Sequence, residues 1–166
     1  KKPVRTVDDI KGLRFRAFDN KNYIKAYELL GANPLVIAYS EVYMALQNGT
    51  VDAATCTISA LKGENYTEIC KYVTLINEYV SSVFVLCGES AYNKLSEENR
   101  QILKTCADQL GKDVDALTEE ALESNIDAMK ADGVEFIEID TTPARETLKD
   151  FYYELEADGT LPAGTC

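Results

Sequence analysis

Two hydrophobic periods alternate along this chain, and their order predicts its architecture. Leu13-Arg14-Phe15-Arg16-Ala17-Phe18 interleaves apolar and basic side chains, the period of a half-exposed strand. Tyr23, Tyr27 and Leu30 then recur at helical spacing over residues 20–30, and Gly31 ends that helix. Pro34 to Ala38 is a short apolar run that reads as a buried strand. Ser40 reads as an N-cap, with Glu41 in the first turn of a helix running through Gln47. Asn48-Gly49 is a turn, and Thr50 to Ala54 enters a third strand. Strand, helix, strand, helix and strand within about 45 residues imply parallel strands joined by right-handed crossovers.

Farther on, Tyr72–Leu75 and Val80–Cys87 read as extended segments. Residues 96–131 form one long amphipathic helix, opened by Ser96 with Glu97 and Glu98 behind it. Leu103, Cys106, Leu110, Val114, Leu117, Ala121 and Ile126 mark its apolar stripe. Gly133 closes it, Val134–Ile139 is a last strand, and 141–156 a last helix. At ~1.5 Å per residue the long helix would run roughly 54 Å. A compact domain of this length is only about 40 Å across. The helix therefore either kinks, with Gly111 as the available point, or extends along something outside this chain, and the second reading is preferred.

Composition narrows the function. Hydrophobic residues are 46% of the 166, enough for a real core, and no apolar run is long enough to span a membrane. Net charge is −11, so a surface that repels phosphate backbones and anionic lipid disfavours nucleic-acid and membrane-surface roles. The charge is uneven: residues 1–30 carry a balance of +4 and the remainder −15. A basic segment on an acidic protein is a place to look for an anion site. The five cysteines are odd in number and form no CxxC pair, and Cys70, Cys87 and Cys106 read as small core residues. There is no histidine, which removes the commonest general base and the commonest metal ligand. The first residues, Lys1-Lys2-Pro3-Val4, carry no apolar signal core.

Three motifs then carry a resemblance. Asp8-Asp9-Ile10-Lys11-Gly12-Leu13-Arg14-Phe15-Arg16, Gly31-Ala32-Asn33-Pro34 and the block from Ser40 to Asp52 (SEVYMALQNGTVD) stand in order, at spacings that need no gap. They resemble the D-[LM]-K-G-[LM]-K-[IL]-R strand, the G-A-x-P turn and the S-E-V-Y-x-A-L-Q-x-G-x-V-D block of the DctP-type solute receptors of tripartite ATP-independent periplasmic (TRAP) transporters. A softer echo continues through Lys71-Tyr72-Val73, Leu95 to Glu98 and the long helix. The resemblance implies an α/β, periplasmic-binding-protein-like lobe: a parallel or mixed sheet flanked by helices, with one very long helix lining two lobes. It implies that most of a first lobe lies outside this chain. Residues 1 to about 80 and 120–166 would form the ligand-binding lobe, and 81 to about 119 would cross into the other. The implied partners are a small carboxylate ligand and the membrane permease subunits of the transporter, with no cofactor and no metal. The implied location is periplasmic or extracytoplasmic, secreted or lipid-anchored in the full-length form.

Arg16 stands where the family's arginine pairs with the substrate carboxylate. The physical reason holds independently: a guanidinium is a planar fork that grips carboxylate through two parallel bonds. The plain alternative is a solvated arginine, or one paired to Asp19 or Glu41. Arg14 is expected in solvent or a salt bridge. Tyr39 falls at a pocket-wall position of the family, or is simply a core tyrosine. Asp19 either bonds a ligand hydroxyl or holds Arg16 when the site is empty. After Asp52 the pattern departs from the family's V-D-G-x-E-N: Thr55 replaces the glutamate and Cys56 the asparagine that bonds the ligand carboxylate, and a thiol is a poor substitute for an amide donor. Two rival functions remain. One is a Cys56-dependent enzyme, which would lack a histidine base. The other is a sensing receptor that feeds no transporter.

Overall fold

The computed structural model describes residues 2–78 and 84–165. A 3-10 turn over Val7–Ile10 leads into strand β1 (Arg14–Ala17), helix α1 (Lys21–Leu29) and strand β2 (Asn33–Val36). A second 3-10 turn (Tyr39–Glu41) precedes helix α2 (Val42–Gln47) and strand β3 (Ala53–Ala54). Two short helices follow, α3 (Ile58–Gly63) and α4 (Tyr66–Ile69), then strand β4 (Tyr72–Leu75) and the short helix α5 (Glu89–Tyr92). The long helix α6 (Glu97–Ala131), strand β5 (Glu135–Glu138) and helix α7 (Thr142–Ala157) complete the chain.

The strands form two parallel sheets, one in the order β2-β1-β3 and one pairing β4 with β5. Because side chains alternate across a strand, β1 serves two different layers. Phe15 points into a core with Val7, Ile10, Tyr27, Leu30, Ala32 and Leu148, where α1 and α7 pack together. On the opposite face, α2 and α4 enclose a second core of Val42, Ala45, Leu46, Val51 and Tyr66. Arg16 belongs to that second face, as period-two alternation from Phe15 requires.

Most expected elements are present, and Ser96 caps α6 by accepting from the Asn99 amide at 3.3 Å. Four details differ. Residues 34–36 were expected to be buried, yet β2 is an edge strand, with Val36 56% exposed; nothing among the described residues pairs its outer side. Ser40 does not cap α2, because the 3-10 turn runs straight into the helix and no side chain caps its start. Cys87 and Cys106 are exposed rather than core residues, and Cys70 is half-buried. The expected strand at Val80–Cys87 falls partly outside the described residues, and Phe84–Cys87 has no regular structure. The 35-residue helix α6 runs through Gly111 without a break, spanning about 52 Å.

Candidate functional site

The site begins with two arginines on one face of β1. The parallel register sets Asp52 opposite Arg14 and Ala54 opposite Arg16. Arg14 therefore closes a two-pronged ion pair, Nε to Oδ2 at 3.0 Å and Nη2 to Oδ1 at 2.7 Å, while its backbone amide donates to the same carboxylate at 3.1 Å. The bonds from Arg14 hold the Asp52 carboxyl down at about 2. Arg16 has no such acid across the ladder. It is only 8% exposed, donates from Nε to the Ile37 carbonyl at 3.0 Å, and lies 6.0 Å from the centre of the Tyr39 ring. Among the described residues no carboxylate lies within 4.0 Å of it. A buried guanidinium without a counter-charge is costly unless an anion completes it.

Tyr39 is half exposed and forms the wall beside Arg16. Its hydroxyl donates to Glu64 Oε1 at 3.3 Å. Cys56 shares the neighbourhood: burial pushes its thiol up to about 11, with Cys70 and Glu64 adding to the rise and Arg16 opposing it. The raised value keeps Cys56 a thiol at neutral pH, and a thiol is a poor nucleophile. Beneath it lies Tyr66, 3% exposed, whose hydroxyl burial pushes up to about 12 under the further influence of Tyr39, Glu64 and Cys56.

Of the expected site residues, then, Arg16, Tyr39 and Cys56 converge. Thr55 does not join them. Being one residue from Cys56 it faces the other side of the sheet, where its hydroxyl meets Tyr23 Oη at 2.6 Å. There Tyr23 and Tyr27 both donate to Glu78, whose carboxyl is pushed up by burial. Asp19 neither pairs with Arg16 nor makes any hydrogen bond or ion pair among the described residues. It lies exposed in the β1–α1 loop, while Arg16 turns toward the β2–α2 connection. Glu41 does not pair with Arg16 either. Glu64 and Tyr66 were not foreseen; the signal that places them is the left-handed backbone of Asn65 (φ 56°), which turns the chain between α3 and α4.

A cavity of about 320 Å³ separates β3 from β4. Thr55, Cys56, Tyr66 and Glu78 line it, and Arg16 and Tyr39 do not. Cys56 and Tyr66 thus stand between this cavity and Arg16.

Parallel strands with helices on both faces, and an uncompensated cation at the end of the central strand, describe one α/β lobe of a ligand-binding protein. Residues 1–158 match the model of the DctP family, described as bacterial extracellular solute-binding protein family 7, and the chain belongs to that family. It is 33% identical over 135 residues to the 2,3-diketo-L-gulonate-binding periplasmic protein YiaO of Escherichia coli K12, covering 81% of this chain and 41% of that protein. It is 27% identical over 158 residues to the sialic acid-binding periplasmic protein SiaP of Vibrio cholerae, covering 95% and 49%. A TRAP periplasmic solute-binding protein from Ochrobacterium anthropi with bound L-fuconate superposes with a TM-score of 0.80 at 32% identity, over 93% of this chain and 51% of that one. A second, from Sulfitobacter with bound β-D-galacturonate, has a TM-score of 0.85 at 23% identity, over 96% and 53%, and speaks for the fold alone. The chain spans about half the length of the relatives it matches. Among the described residues no helix is long and apolar enough to cross a membrane.

Proposed function

We propose that this chain is the C-terminal portion of a two-lobed TRAP receptor, and that it binds a small organic carboxylate outside the cytoplasm and presents it to membrane permease subunits. Residues 1 to about 80 and 120–166 form the ligand-binding lobe, and 81 to about 119 cross toward the other. Arg16 is the carboxylate clamp, Tyr39 the wall that orients it, and Cys56 a neutral surface in place of the family's asparagine. Thr55 and Asp19 contribute at most from the margin, since neither reaches the Arg16 cluster in this structure.

The observation that carries the reading is the buried, acid-free Arg16 two residues from an Arg14 whose charge is already matched. A Cys56-dependent enzyme is disfavoured by the raised thiol, and the matched relatives are solute-binding proteins. The test compares Arg16→Ala with Arg14→Ala in the full-length protein, titrated with its cognate acid at two salt concentrations. Both changes remove one positive charge from the same strand, so long-range attraction falls alike and is screened over about 8–10 Å. Only Arg16→Ala leaves the bound carboxylate unpaired, at a cost on the order of 2–5 kcal/mol, or roughly 30- to several-thousand-fold in affinity. Arg16→Lys should recover part of the loss, because ammonium keeps the charge without the fork. Equal losses for both alanine variants, vanishing at high salt, would refute the clamp.

A further inference from the structure

No CxxC pair stands in the sequence, yet two of its five cysteines line one cavity in the fold. Cys56 follows β3, and Cys70 ends α4 just ahead of β4, so the two bracket the segment that carries α3 and α4. Both are half-buried, and both line the gap between β3 and β4. Both also pack against the same core of Val42, Ala45, Leu46, Val51 and Tyr66. After burial itself, Cys70 is the strongest influence on the Cys56 thiol, ahead of Arg16 and Glu64. Cys87 and Cys106, by contrast, are exposed and pack into neither core.

We propose that Cys56 and Cys70 are a disulfide site, joined outside the cytoplasm by exchange with a disulfide oxidant. The exchange balances with that one reagent. The thiolate of one cysteine attacks the S–S bond of the oxidant and releases one thiol. The second cysteine then attacks the mixed disulfide and releases the other. Both cysteine protons end on the released thiols, and the two electrons lost by the protein are gained by the oxidant. The bridge closes a ring of about 15 residues around α3 and α4, and such a cross-link removes freedom from the unfolded chain. That ring carries Glu64, which accepts from the Tyr39 hydroxyl at 3.3 Å, and Tyr66, which sits in the shared core. The bond therefore fixes the wall beside Arg16, and it leaves Cys56 the neutral surface already assigned to it. The reading of the chain as an extracytoplasmic receptor enters only as the source of the oxidant, because the cytoplasm keeps such thiols reduced.

The test exposes purified full-length protein to glutathione disulfide, blocks remaining thiols with N-ethylmaleimide while the chain is unfolded, and digests it with trypsin. Cleavage after Lys25, Lys62 and Lys71 leaves Cys56 as the one cysteine of residues 26–62 and Cys70 as the one cysteine of 63–71. These two peptides should appear joined, lighter than their sum by two hydrogens, and should separate on reduction. Reduction should lower the melting temperature of wild type by about 5 °C. Cys56→Ser and Cys70→Ser should each abolish that response, whereas a Cys87→Ser, Cys106→Ser double variant should keep it. Should the serine variants fail to fold, the wild-type digest decides alone. Both peptides blocked singly after oxidation, or either joined to a peptide holding Cys87 or Cys106, would overturn the pairing. Blocking thiols in intact cells before fractionation then separates the pairing from the receptor reading. Full-length protein outside the cytoplasm with both thiols free overturns the disulfide. Protein retained in the cytoplasm with both thiols free, yet bridged once purified and oxidised, overturns the receptor reading and leaves the pairing standing.

Discussion

Arg14 and Arg16 share a strand, a face and a charge, and they differ in one residue each across the ladder. Asp52 stands opposite the first and Ala54 opposite the second. That difference makes Arg14 a structural ion pair and leaves Arg16 without a carboxylate partner among the described residues. The Arg14–Asp52 pair ties β1 to the residue that enters β3, and its contribution depends on pH. The folded carboxyl titrates near 2, below the ordinary 3.8, so its stabilisation is complete above about pH 4 and is lost as pH falls through 2. Both side chains are more than a third exposed, so solvent screening keeps the effect small. Asp52→Asn should flatten the stability profile between pH 4 and 2 in urea unfolding; an unchanged acid limb would show that the pair contributes nothing. Arg16 was singled out in sequence because a motif and the chemistry of the guanidinium agreed on it. Glu64 and Tyr66 were not, since they fall outside the three motifs and are placed by the left-handed turn at Asn65, which residue type does not reveal. The opposite orientations of Thr55 and Cys56 follow from strand parity, which identifies a face only once the register of β3 against β1 is known.

Among the elements, the segment between β3 and β4 shows how local chemistry places a site. Thr57 caps α3 through the Ala60 amide at 3.4 Å, and the chain then reverses through Asn65 in the left-handed region to start α4 at Tyr66. Asparagine tolerates that conformation and a β-branched residue does not. Asn65→Gly should therefore be neutral or slightly stabilising, whereas Asn65→Val should lose about 1–2 kcal/mol and weaken ligand binding by displacing Tyr66. Urea midpoints together with calorimetric titration check this, and equal stability of the two variants would mean the turn relaxes freely. The strands and helices around β1 were legible because their periods are short and clean. Residues 57–71 were not, because two short helices offer too few turns for a period to emerge. The exposure of β2 was hidden for another reason: an apolar run looks the same in a central strand as in an edge strand whose neighbour is absent.

At the scale of the whole molecule, α6 dominates. Its last turns are anchored, with Met129 1% exposed, the Val134 amide donating to the Met129 carbonyl at 3.0 Å, and Lys71 bonding the Asp132 carbonyl at 3.2 Å. Over its first two-thirds, Ile102, Leu103, Leu110, Val114 and Leu117 stand on the surface, Leu117 at 63%. An apolar stripe of this length on a helix is a surface made to be covered, which agrees with the reading, made from helix length, that sets the helix against something outside this chain. Tyr39 is half exposed while Arg16 behind it is only 8% exposed, and this chain meets a carboxylate there from one side. A one-sided site cannot exclude water from the carboxylate, and an ion pair in water is worth little. The 166-residue chain alone should therefore bind its acid no more tightly than about 1 mM, while the full-length protein binds it far more tightly. The same exposed stripe should drive self-association, visible by sedimentation, and Leu117→Lys should reduce it without changing the circular dichroism of the chain. The two measurements must be made together, because a dimer formed through α6 would mimic the missing cover. Micromolar binding by a chain that sediments as a monomer would show that this lobe carries a complete site, and the two-lobed reading of the chain would have to be abandoned.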